Sequence, residues 1–155
     1  LDRGYLLANP AATHLFDAGV GDINTSWIMW NPAAKHLIEL HKIPINYTAL
    51  AGNPAQWAVE LFKQYCEAAA VDDYWTSLCA NTHPWAIARV RAKLFEESSL
   101  AGIPTKINWY NLSANSAAID ILEANPDKVT LEIWTNPAIF EATYPPGMVD
   151  VLMLL

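Results

Sequence analysis

Charged residues are scarce in this chain, and basic residues are the scarcer kind. Charged side chains make up 16% of the 155 residues, and 9 Lys and Arg stand against 16 Asp and Glu, for a net charge of −7. Binding to nucleic acid depends on clustered basic side chains that contact phosphates. The composition therefore predicts that nucleic acid is not a partner.

Three other features are missing. No uninterrupted apolar run reaches the roughly 18 residues of a membrane-spanning helix, so we expect no transmembrane segment. The two cysteines, Cys66 and Cys79, are too few for a disulfide framework, and we expect each to behave as a small buried apolar residue. The six glycines form no glycine-rich phosphate loop.

The histidines do not suggest a metal site. His14 and His36 each lie five residues after an Asn-Pro step, so they occupy equivalent positions. A zinc site needs roughly three or four converging ligands, and His41 and His83 are not spaced to complete one. We therefore expect these histidines to lie on helix surfaces, with no metal and no cofactor.

One acidic pair has two readings. Asp72 and Asp73 precede two aromatic residues and could be catalytic carboxylates. They also lie where a helix is predicted to start, and helix capping explains an acidic residue there. We expect no enzyme, although a deep polar pocket joining His83, Cys79 and Asp73 would reverse this expectation.

What the chain does have is a recurring Asn-Pro-Ala phrase. Its six copies, two of them degenerate, begin at Asn9, Asn31, Asn53, Asn81, Asn115 and Asn136, which we call the anchor asparagines. The first two intervals are equal, 31 − 9 = 22 and 53 − 31 = 22 residues, and a branched aliphatic residue always lies three positions before the anchor. Self-similarity at such a period indicates a stacked repeat protein.

The phrase has the chemistry of a helix start. An asparagine side chain accepts a hydrogen bond from an amide of the first turn, and proline suits the first helical position. Each anchor therefore predicts a longer helix after it. A second asparagine, Asn24, Asn46 or Asn108, is predicted to cap a shorter helix before it, such as residues 109–114, which we expect to be partly 3₁₀.

Apolar residues after the anchors follow helical spacing and predict the buried faces. They are Ala12, Leu15 and Phe16, then Ala34, Leu37 and Ile38, then Ala118, Ile121 and Leu122. In the middle of the chain the intervals lengthen to 28 and 34 residues (81 − 53 and 115 − 81), which predicts two longer helices at about 54–70 and 84–100. We expect these two helices to pair, with a loop at 98–105.

Neither short helix could bury its apolar face alone, so neighbouring units must stack. We therefore predict an all-α fold, a short α-solenoid of about six two-helix repeats. The units lie near residues 1–22, 23–44, 45–71, 72–106, 107–128 and 129–142. A Pro/Gly break and an apolar C-terminal tail follow at 143–155.

Candidate partner contacts lie near turns and in the tail. Trp30 and Trp134 fall one and two residues before an anchor, where partial exposure is expected, whereas most of the seven tryptophans should fill the core. The tail is almost wholly apolar, so it either folds back over the last repeat or docks on another subunit. The candidate contacts are Trp30, Trp134, Val149, Val151, Leu152 and Leu154.

The segment 107–129, INWYNLSANSAAIDILEANPDKV, resembles a known repeat. It is similar to the short W-x-x-L-S-x-N-P-x-A-I-x-L-L-E-x-N-P-D-K-I repeats of proteins from large DNA viruses of algae and amoebae. The phrase at 136–141, NPAIFE, resembles the way such arrays end. The resemblance implies a non-enzymatic, structural or protein–protein interaction repeat protein of a giant virus.

The viral resemblance implies two possible locations. The first is the virion, with the chain as a minor capsid or capsid-associated protein whose partners are capsid or other virion proteins. The alternative is a soluble viral adaptor that acts on host proteins in the host cytoplasm.

Overall fold

Helices account for all the regular structure in the part of the chain that the computed structural model describes, residues 3–19, 25–68, 73–99 and 105–140. The α-helices there are α1 Arg3–Ala8, α2 Thr25–Trp30, α3 Lys35–Leu40, α4 Tyr47–Leu50, α5 Gln56–Ala68, α6 Trp75–Leu78, α7 Pro84–Ser98, α8 Trp109–Ser113 and α9 Ile119–Glu123. The 3₁₀ segments are η1 Pro10–Phe16, η2 Ser116–Ala118, η3 Pro126–Lys128, η4 Leu131–Thr135 and η5 Pro137–Ile139. The prediction of an all-α fold is confirmed.

The expectation that the helix before an anchor is partly 3₁₀ holds only for the sixth segment, where η4 precedes Asn136, and is wrong for the other five. The helices before the first five anchors (α1, α2, α4, α6 and α8) are α-helical, whereas η1, η2 and η5 directly follow Asn9, Asn115 and Asn136. The reason is the tight closure after these three anchors. Each of their carbonyls accepts the amide three residues onward, as Asn9 accepts the Ala12 amide at 3.1 Å, and this is 3₁₀ bonding.

The caps of the short helices agree with prediction where they can be compared. The Oδ1 atom of Asn46 accepts the Ala49 amide at 3.1 Å, and that of Asn108 accepts the Asn111 amide at 3.0 Å. Asn24 lies outside the described residues. Capping of α6 by Asp73 is a wrong prediction, because Tyr74 occupies the N-cap and no side chain there makes a capping hydrogen bond. Asp72 also lies outside the described residues.

The two predicted long helices are α5 and α7, of 13 and 15 residues. Helix α5 begins two residues later than predicted, whereas α7 begins at the predicted Pro84, with His83 as its N-cap accepting the Trp85 amide at 3.1 Å. Phe62 of α5 meets the Trp85 ring edge-on at 6.2 Å, so the two helices touch. Most of the predicted loop, 100–104, lies outside the described residues.

The anchor asparagines form a continuous ladder. In each of the five later anchors, Nδ2 donates both to the carbonyl of the preceding anchor and to the carbonyl two residues before that anchor. For Asn53 the acceptors are Asn31 at 3.1 Å and Met29 at 2.8 Å. The same pair of bonds is made by Asn31, Asn81, Asn115 and Asn136. One row of amide side chains therefore links the chain from Asn9 to Asn136.

The helices before the anchors pack in the same order. Helix α1 packs on α2, α2 on α4 and α4 on α6, and α8 packs on η4. Asn111 of α8 reaches α6 through a bond from its Nδ2 to the Thr76 carbonyl at 2.7 Å. The ladder and this row of helices together hold each segment against the one before it.

The predicted core is buried with one exception. Ala12, Phe16, Ala34, Leu37, Ile38, Ala118, Ile121 and Leu122 are all buried. Leu15 is 60% exposed, so its prediction was wrong. Among the described helices, none is long and apolar enough to cross a membrane. The unit boundaries stay predictions, and the tail at 143–155 lies outside the described residues.

Candidate interaction surface

The two tryptophans proposed as partner contacts are both exposed, Trp30 at 40% and Trp134 at 68%. The Trp30 ring lies over Gly52, where a Cβ atom would come within 3.4 Å of the indole. The same Cβ atom would lie 3.3 Å from the Ser77 carbonyl oxygen, so glycine leaves room for both neighbours. Val149, Val151, Leu152 and Leu154 lie outside the described residues. The role of all six as contacts stays a prediction.

Of the other tryptophans, Trp75 is buried, Trp57, Trp85 and Trp109 are half-buried, and Trp27 is exposed. The exposed Trp27 ring lies 5.1 Å from that of Tyr5, between α2 and α1. The expected core role of the tryptophans is thus met fully by Trp75 and partly by three others.

Trp134 marks one end of the row of segments. The residue two positions before the anchor is at most 1% exposed in the five earlier segments: Leu7, Met29, Ala51, Cys79 and Ser113. The backbone carbonyl of each of these residues accepts a hydrogen bond from the side chain of the next anchor, so the next segment covers the residue. Trp134 has no following segment among the described residues. We call Ile133, Trp134 and the Asn136 carbonyl the C-terminal face.

Leu15 marks the other end. The residue six positions after the anchor is at most 5% exposed in the next four segments: Leu37, Val59, Ile87 and Ile121. Leu15 occupies that position in the first segment, which has no preceding segment among the described residues. Asn9 is also exposed there, and Leu6 is only half-buried. We call Leu6, Asn9 and Leu15 the N-terminal face.

Sequence reasoning missed the N-terminal face. Leu15 has the same local pattern as Leu37, and Asn9 the same pattern as Asn31. A periodic pattern shows which residues face a neighbour, but not which segment lacks one. The only available signal was position in the array, because the first segment has no preceding segment among the described residues.

The histidines do not share hydrogen-bond partners. His36 Nε2 lies 3.2 Å from an Asp17 carboxylate oxygen, His41 Nε2 lies 3.1 Å from the Phe16 carbonyl, and His83 Nε2 lies 3.0 Å from Gln56 Oε1. His14 is exposed. Within the described residues, no group of three His, Cys, Asp or Glu side chains could hold a metal ion. The structure thus does not bring His14 and His36 together as ligands.

The described part of the chain has shallow surface cavities, and two of them lie between helices. One, of about 300 Å³, lies between α3 and α5 over Ile38, Trp57 and Leu61, with charged residues at its rim. The other, of about 320 Å³, lies between α7 and η2 beside Ile87 and Arg91. Neither is lined by His83, Cys79 or Asp73, so neither joins the three residues that would have indicated an enzyme.

Cys79 lies inside the row and not on its surface. It is fully buried, and burial raises the pKa of its thiol to about 11. The Asn108 amide donates a hydrogen bond to Sγ of Cys79 at 3.4 Å. This bond lowers the pKa of the thiol, but by less than burial raises it. The prediction that Cys79 is a small buried residue is confirmed, while Cys66 is half-buried.

A thiol with this pKa should be slow to react. In a Cys66→Ser variant near neutral pH, we expect iodoacetamide to alkylate Cys79 about 100-fold more slowly in the folded protein than in urea. The reason is that the thiolate is the nucleophile, and a pKa raised from 9.0 to about 11 leaves about a hundredth of it. Mass spectrometry of timed samples measures both rates, and equal rates would contradict the buried position.

The same pKa has a consequence for stability. Because the folded pKa lies above the unfolded value of 9.0, the contribution of the neutral thiol is complete below that pH and is lost as pH rises towards 11. A Cys79→Ala variant should lack this part of the alkaline loss. Urea unfolding at a series of pH values compares the two proteins.

The described residues thus offer apolar end faces and three exposed indoles, those of Trp27, Trp30 and Trp134. These are features that bind other proteins by burying apolar surface. Comparison with known proteins finds no matching family model, no matching curated protein and no matching solved structure.

Proposed function

We propose that this protein is a short α-solenoid of about six two-helix repeats that acts as a non-enzymatic structural protein through protein–protein contacts. The observation that carries the proposal is the ladder from Asn9 to Asn136. Every anchor after the first uses its side chain to hold the preceding segment, so the polar groups at the centre of the row serve the architecture. Proteins built in this way bind partners along extended surfaces or at their ends.

We further propose that the protein is a virion component, a minor capsid or capsid-associated protein whose partners are capsid or other virion proteins. The support is the resemblance of residues 107–129 and 136–141 to giant-virus repeats. Exposed Trp30 and Trp134 supply apolar contact area, and indoles are enriched where interfaces bind most strongly.

The location is tested by quantitative mass spectrometry of purified particles and of infected-cell cytoplasm. A virion component should be enriched in particles in a constant ratio to the major capsid protein, and should crosslink to a capsid protein inside intact particles. Detection in the cytoplasm with absence from particles would overturn the virion role and favour the adaptor.

The contact residues are tested by single substitutions. We expect Trp30→Ala or Trp134→Ala to weaken binding to the crosslinked capsid partner by about tenfold or more, the loss typical of an interface tryptophan. Tyr110→Ala is the matched control, because Tyr110 is an exposed aromatic residue outside both positions. Binding isotherms with the purified partner measure the effect. Equal affinities for all three variants would remove both tryptophans from the interface.

A further inference from the structure

The two end faces of the row are complementary in hydrogen bonding. At the N-terminal face, Asn9 uses Oδ1 to accept the Ala11 amide at 3.0 Å, while its Nδ2 donates to no acceptor among the described residues. At the C-terminal face, the Trp134 carbonyl occupies the position that receives the next anchor in every earlier segment. The residue that follows by three positions is Pro137, which has no N–H to donate to it.

The Asn136 carbonyl is also open on one side. It accepts the Ile139 amide at 3.3 Å, as the carbonyls of Asn9, Asn31 and Asn115 accept the amide three residues onward. In the earlier segments the same carbonyl also accepts the next anchor, as Asn115 accepts Asn136 at 3.0 Å. One face therefore presents an amide with two N–H donors, and the other presents the two carbonyls that such an amide binds.

The apolar side chains of the two faces are complementary as well. Leu15 is in the position that is buried in four other segments, and Trp134 is in the position that is buried in five other segments, where the next anchor binds its carbonyl. Leu6 and Ile133 each lie three positions before an anchor. The residues at that position in the four segments between them are at most 1% exposed, whereas Leu6 and Ile133 are half-buried. Each face therefore lacks the contact that the other face supplies.

We propose that the C-terminal face of one copy stacks on the N-terminal face of a second copy, so that Asn9 of the second copy continues the ladder of the first. The occupant is a second copy because only this chain's own N-terminal face is shown to carry the anchor amide and the leucine in the required positions. The contact joins two different surfaces, so it leaves one face open at each end and adds copies in one direction. Trp134 is then covered in every copy except the last, whose Trp134 stays open to a capsid protein.

The inference rests on the stacked architecture under Proposed function but not on the virion role. It concerns the purified chain alone, so its outcome is independent of particle proteomics. A failure of the stacked architecture would appear separately, as an Asn53→Ala variant that loses little stability.

The test uses one variant that blocks each face. Leu15→Asp places a carboxylate on the N-terminal face, and Trp134→Asp places one on the C-terminal face. Both positions are exposed, so both variants should keep the parent's circular dichroism and melting temperature. Phe95→Asp is the matched control, because Phe95 is 77% exposed on α7 and belongs to neither face.

Sedimentation velocity gives the expected results. The parent and Phe95→Asp should gain mass progressively with concentration, whereas each blocked variant alone should stay at the 17.2 kDa of one chain. An equimolar mixture of the two blocked variants should form a species of twice that mass and nothing larger, because one open N-terminal face meets one open C-terminal face.

Two results would overturn the proposal. A parent that stays monomeric at every concentration would mean that something other than a second copy covers these faces, such as the segment 141–155 or another protein. A blocked variant that still self-associates would mean that like faces pair with like.

Discussion

Replacing Asn53 by alanine is expected to lower the free energy of unfolding by about 3–5 kcal/mol. Asn53 is fully buried, donates to Met29 and Asn31, and accepts the Ala55 amide at 2.9 Å. Alanine would leave the Met29 carbonyl and the Ala55 amide buried without these partners, at about 1–3 kcal/mol each. Loss of a helix cap alone costs about 0.5–2 kcal/mol, so the rest of the expected loss comes from the bonds to the preceding segment. Urea unfolding measures it.

Asn9→Ala is the matched control for this prediction. Asn9 is an anchor with the same local sequence, but it is exposed, and among the described residues its side chain makes only the bond from the Ala11 amide. Its loss should cost about 0.5–1 kcal/mol, the value of an exposed cap. Equal losses at the two positions would mean that the ladder adds nothing to local capping.

An Asn53→Asp variant tests the donor role through pH. Aspartate keeps the acceptor for Ala55 but, when ionised, directs oxygen at the carbonyls of Met29 and Asn31. Burial and these carbonyls should raise its folded pKa above the unfolded value of about 3.9. Its relative stability is therefore greatest below about pH 4 and is lost as pH rises through the folded pKa. If the free energies of unfolding of the parent and the variant changed with pH in the same way, the donor role would be contradicted.

Replacing Phe62 by alanine is expected to cost about 3–5 kcal/mol, the range for a large side chain removed from a core. Phe62 is 1% exposed and its ring packs edge-on against Tyr74 at 5.0 Å and against Trp85 at 6.2 Å. It therefore joins α5 to both the residue before α6 and the start of α7. Its loss opens a cavity where the regular period is broken.

Phe95→Ala is the control for this second prediction. Phe95 has the same side chain and lies in α7, but it is exposed. Its removal should change stability by no more than about 0.5 kcal/mol. Chemical unfolding monitored by circular dichroism compares the two variants. A Phe62→Ala variant as stable as Phe95→Ala would show that the middle segments do not pack through this ring.

Much of the fold could be predicted because it depends on local chemistry. Asn46 and Asn108 cap short helices, as their spacing indicates, and the apolar positions after Asn31 and Asn115 are buried. The type of turn after an anchor could not be predicted, because it depends on the competition between α and 3₁₀ closure. All six anchors share the same local start, yet 3₁₀ turns follow Asn9, Asn115 and Asn136 and α-helices follow the other three. The bonds between anchors could not be predicted either, because they join residues 21 to 34 positions apart.

The candidate surface was predictable only in part. Trp30 and Trp134 were selected for their places near turns, and both are exposed. The reason for the exposure of Trp134 is different from the reason assumed, because its position is buried in every earlier segment. It is exposed where no further segment follows among the described residues.

The sequence by itself determined the helical class, the six anchors and the faces that turn inward, since capping and periodicity are properties of neighbouring residues. Only the tertiary structure decided that each anchor holds the segment before it. A side-chain amide has two donors and one acceptor site, and the local turn after the anchor uses only the acceptor. Where the two donors go depends on which backbone carbonyls stacking brings within reach, and no local pattern specifies that.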